Sequence, residues 1–87
     1  MYPSIREEHV VTETLRRAGN VYPRVWDAFE SLCWVLVHRQ VSGASFQGVV
    51  DIYHLHKQDA GGYGVPALTV LYTASETLIS LHALKVG

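Results

Sequence analysis

The sequence predicts an α+β domain: two N-terminal helices packed on a three- to four-stranded antiparallel sheet. Three observations carry that expectation. Apolar residues recur at helical spacing through the first half, runs rich in β-branched and aromatic residues fill the second half, and glycine-rich or polar connections separate those runs. With 87 residues, no internal repeat and no dividing linker, the chain reads as a single domain over 1–87. A domain of this size buries only about 60–65% of the surface its unfolded chain exposes.

Ser4 followed by Glu7 has the spacing of a capping box, so a first helix is expected over about 5–18. Val11, Leu15 and Ala18 make its apolar stripe. Arg16 and Arg17 suit the negative end of the helix dipole, and Gly19-Asn20 tolerate a left-handed stop. The second helix is expected over about 23–39, with Pro23 in its first turn, Asp27 and Glu30 early, and His38 and Arg39 at the other end. Its stripe is Val25, Trp26, Phe29, Leu32, Cys33 and Leu36, and Trp34, Val35 and Val37 widen it beyond what one core face requires. The surplus fits either a helix enclosed on several sides or a face kept for a partner, with Trp26 and Trp34 as partner-binding candidates.

Ser42, Gly43, Ser45 and Gly48 mark residues 40–48 as a loop. Strands are expected over about 49–57, 67–73 and 77–86. Gly61, Gly62 and Gly64 lie in the first connection, and Ala74-Ser75-Glu76 has the length of a hairpin loop. If that loop pairs Thr73 with Thr77, then Leu71 lies opposite Ile79 and Thr69 opposite Leu81. Odd-numbered positions then share one face, which Lys85 extends. The register across 58–65 stays open.

Composition limits the function classes. Hydrophobic residues make up 48% of the chain and charged residues 17%, which excludes disorder. The net charge of −1 gives no overall positive field to draw the chain to nucleic acid, although five histidines could supply a local one. Cys33 is the one cysteine, which excludes a disulfide framework and favours a reducing compartment. Met1 to Glu8 has no apolar signal core, and the longest apolar stretch, Leu32 to Val37, is too short to span a bilayer. A cytoplasmic protein with no membrane partner is expected.

His54 and His56 stand two apart on a strand and so share a face. Paired imidazoles can exchange protons, bind phosphate or ligate a metal. His82, Asp51 and Cys33 are available as further ligands, but no spacing links them to the pair. The alternative is two half-exposed strand residues without a function. Lys57 and Lys85 lie near strand ends, where lysines ordinarily serve solvation. Tyr53, Tyr63 and Tyr72 could stack on bases, or simply pack. The glycine-rich connection precedes a strand rather than a helix N-terminus, which discounts a phosphate loop. No Gly-x-Ser-x-Gly elbow or local Cys and His pattern supports nucleophilic catalysis.

The helix Trp26-Asp27-Ala28-Phe29-Glu30-Ser31-Leu32-Cys33-Trp34, the strands Tyr53-His54-Leu55-His56-Lys57 and Ala67-Leu68-Thr69-Val70-Leu71-Tyr72, and the finish Leu84-Lys85-Val86 together resemble the RelE/ParE superfamily of toxins from bacterial type II toxin–antitoxin systems. That family places two helices before a three-stranded antiparallel run. The resemblance runs from about Tyr22 onward, with the family's N-terminal first strand weak or missing. RelE-type members cleave messenger RNA on the ribosome, using basic residues on the sheet face, and ParE-like members poison DNA gyrase. His54 and His56 stand where the RelE pattern alternates a basic pair, Lys85 where it has a basic residue in the last strand, and Thr69 where it commonly has an arginine. The resemblance implies attack of a 2′-hydroxyl on the adjacent phosphate. One imidazole would take the proton, the other would protonate the leaving oxygen, and Lys85 would offset developing charge. Lys57 and Tyr63 would bind RNA, and no metal or cofactor would be needed. The expected function is the toxin of a toxin–antitoxin pair, a ribosome-dependent mRNA endoribonuclease whose partners are a cognate antitoxin, the ribosome and mRNA. The alternatives are a gyrase-inhibiting ParE-like toxin and a non-catalytic protein-interaction module.

Overall fold

The computed structural model describes residues 2–41 and 53–87. In chain order the elements are β1 (Ser4–Glu7), α1 (His9–Ala18), α2 (Val25–Val41), β2 (His54–Gln58), β3 (Leu68–Ala74) and β4 (Leu78–Val86). The strands form one four-stranded sheet in the order β1-β4-β3-β2. The α+β class is as expected, but the sheet is mixed: β2–β3 and β3–β4 are antiparallel, while β1 runs parallel to β4.

β1 overturns the capping-box expectation. The Ser4 N–H donates to the Thr77 carbonyl at 2.9 Å, and the Glu8 N–H donates to the Leu81 carbonyl at 3.0 Å. Ile5 packs against the core. Pairing with β4 satisfies the backbone groups that face it and partly buries an isoleucine as well, a larger gain than two capping bonds. The N-terminal strand expected to be weak or missing is therefore present. α1 starts at His9 instead, after an extended Glu8 that makes no side-chain cap bond.

α1 ends at Ala18 with Arg16 and Arg17 in its last turn. The left-handed stop does not form at Gly19, which has φ −59° and a right-handed helical conformation. The Val21 and Tyr22 N–H groups both donate to the Ala18 carbonyl, at 3.0 and 2.7 Å, so the chain keeps turning. Pro23 and Arg24 form a turn before α2 rather than its first turn, and α2 continues through Gln40 and Val41, which the sequence assigned to a loop. The rest of that expected loop and the strand positions 49–52 lie outside the described residues.

Both helices cover the same side of the sheet. Val11 and Leu15 of α1, and Val25, Ala28, Phe29, Leu32 and Leu36 of α2, form one buried cluster with Leu68, Val70 and Tyr72 of β3 and Ile79 and Leu81 of β4. The β3–β4 register differs from the expected one. Thr73 pairs with Ser80 rather than Thr77, because the turn closes with the Ser75 N–H donating to the Leu78 carbonyl and the Leu78 N–H donating to Ser75 Oγ. Leu71 pairs with Ala83 and Tyr72 with Leu81, so His82 is an extra residue on β4. Ile79 and Leu81 therefore face the helices with Tyr72. Ala83 and Lys85 face the other way, with Leu71 and Thr69. The odd-number rule holds for Lys85 and fails for Ile79 and Leu81.

Candidate functional site

The register of β2 decides where its histidines point. Gln58 pairs with Leu68, His56 with Val70 and His54 with Tyr72, and directly paired residues share a face. Leu68, Val70 and Tyr72 are buried under the helices, so His54 and His56 lie on the helix-covered side. The His54 ring stacks on Tyr72 at 5.3 Å between centroids. Gln58, third in the same row, donates from Nε2 to the Ala28 carbonyl of α2 at 2.9 Å. The two histidines share a face, as their spacing predicts, but Lys85 lies on the opposite one. The three residues expected to cleave RNA are not brought together.

The other side, uncovered among the described residues, carries a different set. Lys57, Thr69 and Lys85 pair in one row across three strands, and Leu55, Leu71 and Ala83 pair in the next. Adjacent strands lie about 4.8 Å apart, so the two lysines flank Thr69 with backbones roughly 10 Å apart. None of the residues on this face within the paired stretches of β2, β3 and β4 is acidic. The described residues leave Leu55 63% exposed and Tyr53 60% exposed. β2 thus turns its apolar positions to solvent and its imidazoles inward, the reverse of what burial alone favours.

One row further lies a cluster that the sequence reading missed. His82 Nδ1 stands 2.9 Å from Glu8 Oε1, and His82 Nε2 stands 2.8 Å from Thr73 Oγ1. The Tyr53 ring meets the imidazole edge-on at 5.2 Å. Each ring nitrogen thus has a hydrogen-bond partner, the Glu8 carboxyl at Nδ1 and the Thr73 hydroxyl at Nε2. The sequence carried one signal of this site. The inward apolar positions of β4 run Ile79, Leu81 and then Leu84, Val86, a slip of one residue that marks His82 as inserted. The carboxylate partner, 74 residues away in sequence, had no local signal.

The remaining candidates lie on the helix side or beside it. Tyr63 is almost fully exposed in the β2–β3 connection, and its carbonyl accepts from Arg24 Nη1 at 3.4 Å, which ties that connection to the start of α2. Gly64 beside it has φ +78°, a conformation that favours glycine. Trp26 and Trp34 are 49% and 61% exposed on the outer side of α2. Trp34 stacks on His38 at 3.7 Å and, with Asp27, Glu30, Ser31 and Val35, lines a shallow hollow of about 570 Å³. Cys33 is half-buried, and burial pushes its thiol up to about 11, with Glu7 and Glu30 acting in the same direction. Among the described residues no group of three His, Cys, Asp or Glu side chains is arranged to hold a metal ion.

Comparison with known proteins gives no further constraint: no family model matches the chain, and neither a curated protein nor a solved structure matches it. Among the described residues no helix is long and apolar enough to cross a membrane.

Proposed function

We propose that the chain is the toxin of a RelE/ParE-type toxin–antitoxin pair, a cytoplasmic protein that stops translation by acting on ribosome-bound messenger RNA through the uncovered face of its sheet. The observation that carries this reading is the row Lys57, Thr69, Lys85 beside outward-facing Leu55 and Tyr53. Lysines spaced along a sheet suit phosphates, and aromatic or apolar side chains between them suit unstacked bases. The net charge of −1 does not oppose this, because the acidic residues lie elsewhere than in these rows. The N-terminal strand, two helices and antiparallel run in that order also favour the family resemblance. The cognate antitoxin, in this reading, covers the same lysine-bearing face with an acidic apolar segment.

The second reading is a gyrase-inhibiting toxin or a non-catalytic interaction module. It draws on the separation of His54 and His56 from Lys85, which removes the reason for choosing RNA cleavage on the histidine pair, and on the exposed Trp26 and Trp34. Induced expression and cell-free translation distinguish the readings. Growth arrest together with halted translation of a purified message is expected. Growth arrest with translation intact would turn the assignment to another target such as gyrase, and unimpaired growth would leave the interaction module.

A further inference from the structure

We infer that the outer face of α2 docks a second protein through one of that partner's helices, an amphipathic helix that sets an arginine against Glu30 and apolar side chains against Trp34 and Val35. This surface belongs to the helix layer, away from the lysine-bearing sheet face. Its partner is cationic, whereas the antitoxin segment proposed for the sheet face is acidic.

The shape of the face suits a helix. Residues four apart on a helix form rows, and a row of a second helix packs into the groove between two of them, crossing at about −50°. Trp26, Glu30 and Trp34 make one row of α2, and Asp27, Ser31 and Val35 make the next. The hollow of about 570 Å³ is lined by members of these two rows. Ser31, small and central in it, lets a partner backbone come close. The rings beside the groove are already held. Trp34 is 61% exposed, yet it stacks on His38 at 3.7 Å, and His38 Nδ1 lies 2.8 Å from the Trp34 carbonyl oxygen. Trp26, 49% exposed, meets Phe29 edge-on at 6.1 Å. Large rings held in place before binding lose little freedom when a partner covers them, which is the character of an interface anchor.

Charge identifies the occupant. Asp27 is engaged by Arg24 at 3.1 Å, but Glu30 is exposed and has no ion pair or hydrogen bond among the described residues. Glu7 lies near enough to act with Glu30 on the Cys33 thiol, and among the described residues no positive group opposes them there. An open carboxylate between two tryptophans is matched by arginine, whose planar guanidinium can pair with the acid while lying on an indole. A second copy of this chain does not fit. Laid against its like, α2 would set Asp27 and Glu30 against the same acids, and like charges across an interface repel. A nucleic acid meets the same repulsion.

The test uses the full chain and two synthetic amphipathic helical peptides. One carries leucine, arginine and leucine at successive positions four apart, and the other has glutamate in place of the arginine. Both tryptophans of the chain lie on this face, so tryptophan emission reports occupancy in wild type, and calorimetry follows the variants. The arginine peptide is expected to bind saturably and at least roughly tenfold more tightly than the glutamate peptide. Glu30→Gln and Trp34→Ala are each expected to weaken it at least roughly tenfold with an unchanged melting temperature. Glu76→Gln, in the β3–β4 turn, is expected to bind as wild type does. No saturable binding, equal binding of the two peptides, or equal losses from Glu30→Gln and Glu76→Gln would overturn the inference. If Trp34→Ala fails to fold, Glu30→Gln decides. Emission that changes with protein concentration in the absence of peptide would assign the face to a second copy and overturn it as well. Halted translation without peptide binding would end this inference and leave the toxin reading standing, and peptide binding without any effect on translation would do the reverse.

Discussion

Cys33 lies on the flank of α2, where burial first, and Glu7 and Glu30 after it, push its thiol from an ordinary 9.0 to about 11. The folded protein keeps this proton where the unfolded chain releases it. The stabilisation is complete below pH 9 and is lost as pH rises from 9 toward 11. Two consequences can be measured. Alkylation by iodoacetamide at pH 8 should be roughly a hundredfold slower in the native chain than in urea, because the thiolate is the reactive form. Stability measured by denaturant should fall between pH 9 and 11, and Cys33→Ser should lessen that fall. Equal alkylation rates in the native and unfolded chains would contradict the assignment. Other residues show where sequence reading stops. The two-residue repeat put His54 and His56 on one face without saying which face the helices cover. Lys85 was placed on the Thr69 face by parity, although the turn that suggested it pairs differently. Glu8 was invisible, because its partner stands at the far end of the chain.

The helices were legible because their apolar stripes, Val11 and Leu15 in α1 and Val25, Phe29, Leu32 and Leu36 in α2, are local and periodic. β3 and β4 were found within a residue for the same reason. β1 was not, since four residues carry no readable period, and a parallel strand gains its bonds from a partner more than seventy positions away in sequence. Ser4 gives a direct check on that element. As a helix cap it would cost about 1 kcal/mol to remove. As an exposed strand residue bonded through its backbone to Thr77, Ser4→Ala should change stability by less than about 0.5 kcal/mol. Urea unfolding of the two chains measures the difference, and a loss near the capping value would contradict the strand.

Taken whole, the molecule has two unlike sides. One is a helix layer that carries Glu13, Asp27 and Glu30 and seals the core. The other is a sheet surface on which Lys57, Lys85, Tyr53, Leu55 and the Glu8–His82–Thr73 chain meet solvent. Class and the order of elements from α1 onward could be read from the sequence because they follow from local pattern. The composition of the sheet face opposite the helices could not, because it depends on two strand registers and one inserted residue. The most direct test compares two double variants in cell-free translation, each removing two positive charges from opposite sides of the molecule. Lys57→Ala with Lys85→Ala is expected to lower inhibition at least roughly tenfold, as loss of two phosphate contacts requires. Arg16→Ala with Arg17→Ala, on the outside of α1, is expected to inhibit as wild type does. Equal inhibition by both variants, or a greater loss from the helix-side pair, would contradict the claim that the uncovered sheet face is where this protein works.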